Sequence, residues 1–235
     1  MILYSKLNKE TNKEYGYRVL KDNIMNLNLK PGQLISETEL SMELKLSRTP
    51  IREILNRLKE EHLIEVKAQV GTYISLIDKE LIKEAVFMRY ILEKEILLEL
   101  SENISPQILL ELEKNLFAQR LIVDKVSCDI EFHKLDIQFH QLLFEAVNKI
   151  NTWESIQKIS THYNRMRLVS EMKTDKIDVI NQHEKYLEFI KNSEFRSKDK
   201  INYIVTKHII EPMNVWDNII ENCGERSVYF KLKKK

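Results

Sequence analysis

Glycine and proline are so scarce in this chain, four of each in 235 residues, that it must be built mainly of helices, with turns concentrated where those residues cluster. Leu, Ile, Lys and Glu dominate the rest. A 43% hydrophobic content is enough for two ordinary domains, each with its own core. The formal net charge of +1 excludes a protein that wraps nucleic acid with its whole surface, so any basic site has to be local. Residues 45–58 are such a place: Lys45, Arg48, Arg52 and Arg57 are opposed only by Glu53. Cys128 and Cys223 are far apart, without zinc-type or redox-type spacing, and read as packing residues in a reducing compartment. No apolar stretch is long enough to span a bilayer and the first ten residues lack a signal-peptide core, so the expected location is the cytoplasm.

The first third of the chain is divided into short pieces. Val19, Leu20, Ile24 and Leu27 predict a helix over 17–29 that stops at Lys30-Pro31-Gly32. Ser36-Glu37-Thr38-Glu39 has the form of a capping box and opens a second short helix to Leu44. Ser47 can cap a third, where Pro50 falls in a first turn whose N–H needs no partner. Ile51, Ile54, Leu55 and Leu58 then make one buried stripe, while Arg48, Arg52 and Asn56 line another face. Arg and Asn match guanine and adenine edges bidentately, so that face reads as a recognition surface. Residues 63–66 and 72–76 predict two strands of a hairpin wing. Together these elements make a winged helix-turn-helix over residues 1–77. A helical domain with a solvated basic face is the blander alternative, and the order of elements disfavours it.

The segments Leu29-Lys30-Pro31-Gly32-Gln33-Leu34-Ile35-Ser36-Glu37, Leu46-Ser47-Arg48-Thr49-Pro50-Ile51-Arg52-Glu53 and Leu58-Lys59-Glu60-Glu61-His62-Leu63-Ile64 resemble the GntR family of bacterial regulators. The resemblance implies that Arg48, Thr49 and Arg52 contact operator DNA and that Gly71 and Thr72 approach it at the wing tip. Two positions depart from the family pattern. Thr38 stands where many members have a DNA-contacting arginine, and His62 replaces a glycine that commonly ends the recognition helix.

From Lys79 onward the pattern predicts six helices, at 79–101, 105–125, 129–148, 151–171, 176–191 and 197–221. They form an all-α antiparallel bundle over residues 78–223, followed by a mobile basic tail over 224–235. Polar residues interrupt its apolar stripes. Asp136 and His140 share a face with Phe132, Phe139 and Leu143; His183 lies among Ile180, Leu187 and Ile190; His208 lies among Ile201, Ile204 and Val205. One buried carboxylate and three buried imidazoles need partners, and a divalent transition metal supplies one to all four. A single core histidine bonded to a neighbour is the commoner case; four coincident inward positions favour the metal. Arg89 also faces inward, either to clasp a ligand carboxylate or to pair with Glu93 four residues on, and Arg165 and Arg167 are weaker candidates.

Asp136-Ile137-Gln138-Phe139-His140, His183-Glu184 and Lys207-His208-Ile209 resemble the ligand-binding domain of the FadR-like branch, the FCD type. The resemblance implies a helical effector domain in which Asp136, His140, His183 and His208 hold zinc or nickel, with Arg89 beside the pocket. The retained metal set points to a small organic acid rather than an acyl-CoA. Residues 195–199 read as an extra loop between His183 and His208. The function expected is a homodimeric repressor that reads a palindrome and answers an effector carboxylate. A metal-stabilised DNA-binding dimer without effector is the alternative. A metal-dependent enzyme is the more distant one, since no HExxH or comparable motif accompanies the site.

Overall fold

The computed structural model describes residues 1–125, 128–173, 175–192, 197–222 and 224–231. Helix α1 (Asn12–Met25) is followed by strand β1 (Leu34–Ile35), helices α2 (Glu37–Leu44) and α3 (Arg48–Glu60), and strands β2 (Ile64–Lys67) and β3 (Gly71–Ile74). The strands form an antiparallel sheet in the order β1-β3-β2, with Thr72 opposite Ile35 on one side and Val66 on the other. This is the winged helix-turn-helix, with a third strand that the sequence pattern of the hairpin alone did not reveal.

Local chemistry explains where these helices begin and end. The first starts five residues earlier than its apolar pattern, because Thr11 and Glu14 form a reciprocal capping box: Glu14 N–H donates to Thr11 Oγ1 and Thr11 N–H to Glu14 Oε2. The box expected at Ser36 does not form, nor does Ser47 cap with its side chain. At the far end of α3, His62 takes a left-handed φ of 57°. His62 N–H donates to the Lys59 carbonyl and Leu63 N–H to that of Leu58, a Schellman closure in which histidine stands where glycine is usual. Val19, Leu20, Ile24, Ile51, Ile54 and Leu58 are buried together between α1 and α3. Gly16 allows that approach, since a Cβ there would lie 2.8 Å from Cδ1 of Ile54 and of Leu46.

The second core belongs to a helical bundle: α4 (Lys79–Glu102), α5 (Pro106–Ile122), α6 (Asp129–Ala146), α7 (Ile150–Ile159), α8 (Thr161–Glu171), α9 (Lys176–Lys191), α10 (Lys198–Val205) and α11 (Pro212–Glu221). Two expected helices are therefore divided. The span expected over 151–171 breaks at Ser160, and the one over 197–221 is interrupted by a π-helical turn, Thr206–Ile210, before Pro212 opens α11. Lys198 and Asp199, read as loop, begin α10 behind the Ser197 cap, whereas Phe195, Arg196 and Cys223 lie outside the described residues. Cys128 is buried, as a packing residue should be.

The expectation of a mobile tail fails for its first part. Phe230 is buried in the bundle core and pairs in parallel with Ile77, while Lys231 reaches Asp78. An aromatic ring with a cavity to fill outweighs the polarity of its neighbours. No helix among the described residues is long and apolar enough to cross a membrane.

Candidate metal centre and nucleic-acid interface

The bundle brings Asp136, His140, His183 and His208 together from α6, α9 and the π-helical turn, all buried, with one donor atom of each within 4.8 Å of the others. On α6, a four-residue step stacks Asp136 under His140. Phe139 stacks on His183 with ring centroids 4.2 Å apart. The π turn carries His208 over His140, ring centroids 4.9 Å apart, which is the kind of helical irregularity that functional sites often use.

Each imidazole is held from behind. His183 Nδ1 lies 2.9 Å from Gln119 Oε1, and His208 Nδ1 lies 2.8 Å from Gln182 Oε1. His140 Nδ1 lies 2.9 Å from Glu93 Oε2, in a bent contact. An amide oxygen only accepts, so the two glutamine contacts place the proton on Nδ1 of His183 and His208 and leave each Nε2 a lone pair facing the centre, and the Glu93 carboxylate beside Nδ1 favours the same tautomer for His140. There, Nε2 of His208 and of His140 stand 2.9 Å apart, and His183 Nε2 is 3.4 Å from Asp136 Oδ1. Asp136 Oδ2 receives no hydrogen bond among the described residues. Converging lone pairs and a carboxylate oxygen without a donor fit a cation between them, and three nitrogens with one oxygen suit zinc or nickel better than magnesium or calcium.

The electrostatics keep His140, His208 and Asp136 unprotonated. Burial pushes His140 down to about 4, with Arg89 adding to it and Glu93 opposing. Burial likewise holds His208 well below its ordinary value, helped by the neighbouring imidazoles. For Asp136, burial favours the neutral acid, but Arg167 and the nearby histidines override it and hold the carboxyl well below the usual range. Burial opposes the charge on Glu93 too, and Arg89 and His140 bring it down to about 2.

Arg89, read equally as a ligand clasp or a partner of Glu93, is taken by the latter: its guanidinium lies 2.7 Å from Glu93 Oε1 and donates to Tyr163 Oη. Arg167 is the guanidinium that reaches the centre, with Nη2 2.6 Å from Asp136 Oδ1. It also lines a cavity of about 170 Å³ that opens beside His208 between Tyr163, Glu171, Gln182 and Trp216. Sequence stripes could not rank Arg167 above Arg89, because every residue of α8 is buried and the helix has no solvent face to betray which side matters. Nor did they find Gln119 and Gln182, whose roles depend on packing between helices.

The other surface is open. Arg48, Thr49, Arg52 and Asn56 are exposed on α3, opposite its buried stripe. Arg52 Nε rests 2.9 Å from Glu37 Oε2, an exposed pair that phosphate or a base edge can replace. Arg57 belongs elsewhere: its guanidinium lies over the Tyr17 ring, 3.5 Å from the centroid. The hairpin tip is formed by Ala68, Gln69 and Val70, all exposed, and Gly71 and Thr72 follow it as the first residues of β3.

Each half of the chain matches a known family. Residues 16–74 match the model of bacterial regulatory proteins of the gntR family, and residues 84–210 match the FCD domain. The chain is 27% identical over 196 residues to the HTH-type transcriptional repressor RspR of Escherichia coli (strain K12), covering 83% of this chain and 84% of that one. It is 24% identical over 172 residues to the gluconate operon transcriptional repressor of Bacillus licheniformis, covering 71% and 70%. In structure it is similar to E. coli McbR/YncC, with a TM-score of 0.70 at 19% identity over 88% of this chain and 98% of the other. A GntR-type regulator from Rhodococcus sp. RHA1 gives 0.65 at 17% identity over 89% and 98%.

Proposed function

Since the chain belongs to the GntR family of bacterial regulators and carries an FCD domain, a DNA-binding protein and not an enzyme, we propose that it is a homodimeric repressor that senses a small carboxylate through a metal-dependent pocket. The observation that carries the reading is the convergence of three imidazole Nε2 atoms and the Asp136 carboxylate on one buried point, each ring fixed from behind by an acceptor. Asp136, His140, His183 and His208 would hold zinc or nickel. The metal would supply a positive charge with open positions for an anionic ligand.

The chain's own residues define the rest of the pocket. Arg167 stands between Asp136 and the cavity and can offer a guanidinium to an effector carboxylate, the role first considered for Arg89. A cavity of about 170 Å³ suits a small acid and is too small for an acyl chain. Trp216 also lines it, offering an apolar wall to the body of the same ligand. On the DNA side, Arg48, Arg52 and Asn56 would read base edges, Thr49 would meet the backbone, and the wing with Gly71 and Thr72 would follow the groove. Two-fold symmetry would place two such helices on a palindrome. Repressors among the relatives support repression over activation.

The test is release from DNA. With an operator selected from random duplex, the zinc-loaded protein should bind tightly, and a member of a panel of two- to six-carbon hydroxy- and keto-acids should weaken binding at least tenfold. Chelation should abolish that response. A response that survives chelation would overturn the metal-dependent pocket, and no response to any acid would favour a constitutive DNA-binding dimer.

A further inference from the structure

Helix α8 does more than line the cavity: its first turn grips the end of the recognition helix. Thr161 Oγ1 donates to the Glu61 carbonyl at 3.0 Å, and His162 Nε2 lies 2.9 Å from the His62 carbonyl. Those two carbonyls belong to the residues that close α3. On its other side, His162 Nδ1 accepts from Asp78 N–H at 3.0 Å, the residue that caps α4. One turn further, Arg165 Nη1 donates to the Ser75 carbonyl at 2.8 Å, just beyond β3, and its Nη2 lies 3.2 Å from His162 Nδ1. Thr161, His162 and Arg165 are all buried, so these bonds form a dry contact between the two halves of the chain.

The partners fix the state of the imidazole. A carbonyl must be given a proton and a backbone N–H must find a lone pair, so His162 is the neutral tautomer with hydrogen on Nε2. Burial and the adjacent Arg165 cation hold its pKa at about 3, which keeps that tautomer in place. Arg165 faces carbonyls and an imidazole and, among the described residues, has no carboxylate within ion-pairing distance, an arrangement retained at some cost to stability. Glu61 adds a second tie, since its carboxylate binds Tyr17 and Lys21 of α1 while its carbonyl accepts from Thr161. The contact therefore holds the whole recognition unit, α1 together with α3.

We propose that Thr161, His162 and Arg165 are positioning residues that fix the angle of each recognition helix on the effector domain, and through it the half-site spacing that the dimer accepts. Three bonds at two separate places in the DNA-binding domain, the close of α3 and the exit of β3, define an orientation that a single linker contact would leave free. The proposal rests on the dimeric reading of the preceding section. One inserted base pair turns the second half-site by about 35° relative to the first. A dimer with locked domains must reject that change, and one with loosened domains can follow it.

The experiment uses the full-length protein and duplexes carrying the selected palindrome with none, one or two base pairs inserted between its half-sites. Wild type should discriminate against one inserted pair by about tenfold or more. In His162→Ala, and in the milder Thr161→Val, that ratio should fall to about threefold or less while far-UV circular dichroism stays unchanged. Variants that keep the wild-type ratio, or that lose affinity for all spacings in equal measure, would overturn the proposal. A wild type indifferent to spacing would overturn the palindromic-dimer reading itself, and the proposal with it.

Discussion

Replacing Arg167 by methionine removes the guanidinium that pairs with the buried Asp136 carboxylate while leaving a side chain of similar length. The two groups lie 2.6 Å apart, Asp136 with none of its side chain exposed and Arg167 with 10%. Breaking one side of such a pair strands a buried charge and costs about 3–5 kcal/mol. The second partner of Arg167, Glu171 at 3.3 Å, keeps His133 and is not orphaned, so the loss is concentrated on Asp136. For a protein of this size each kcal/mol moves the midpoint by about 2–4 °C, which places the metal-free variant about 6–20 °C below wild type. With zinc in excess, the dication replaces the missing counter-charge and the gap should shrink to less than half. Differential scanning calorimetry with chelator and with zinc reads both quantities. A loss that is the same in the two conditions would refute a cation at Asp136, and a metal-free loss under about 3 °C would refute the energetic weight of the ion pair.

On the DNA side, Arg52→Ala should weaken operator binding by about tenfold or more in a fluorescence anisotropy titration, since a good bidentate base contact is worth about 1–3 kcal/mol. Its melting temperature should stay within about 2 °C of wild type, because the pair with Glu37 is exposed. Gly71→Ala puts a side chain at φ 147°, with its Cβ 2.7 Å from Leu34 Cδ1, and should loosen the wing. Amide exchange over β3 should accelerate, and unchanged exchange would contradict the strain. Burial and Arg165 hold His162 at about 3, far below the 6.5 of an unfolded histidine. On acidification the unfolded chain therefore takes up a proton that the folded one refuses, so stability falls as pH drops below about 6.5 toward 3, by up to about 1.4 kcal/mol per pH unit for this group. Urea midpoints at pH 7 and 5 should show a shallower loss for His162→Asn than for wild type; equal slopes would mean that His162 is not neutral in the fold.

Much of this architecture was legible because it rests on short-range rules. The stripe of Ile51, Ile54, Leu55 and Leu58 fixed which face of α3 is buried, and the inward phase of Asp136, His140, His183 and His208 on separate helices led to one point in space. The misses have physical causes. A capping side chain competes with water and with neighbouring helices, so Ser36 and Ser47 leave their potential unused while Thr11 and Glu14 form the box. Periodicity is blind to a π turn and to a one-residue break such as Ser160, both of which preserve apolar residues on either side. The role of His162 was hidden because its partners are the Asp78 N–H and the His62 carbonyl, and backbone groups carry no sequence signature. Arg89 and Arg167 compete for the same role, and only the distances show that Glu93 takes the first while the cavity receives the second.

The central claim is that four buried side chains hold one metal ion, and metal content measures it directly. Elemental mass spectrometry of the protein after equilibration with zinc or nickel and gel filtration should give about one ion per chain for wild type and close to none for His140→Ala and His208→Ala. Full-length protein that folds, binds its operator and still carries no transition metal, or variants that retain the ion, would contradict it.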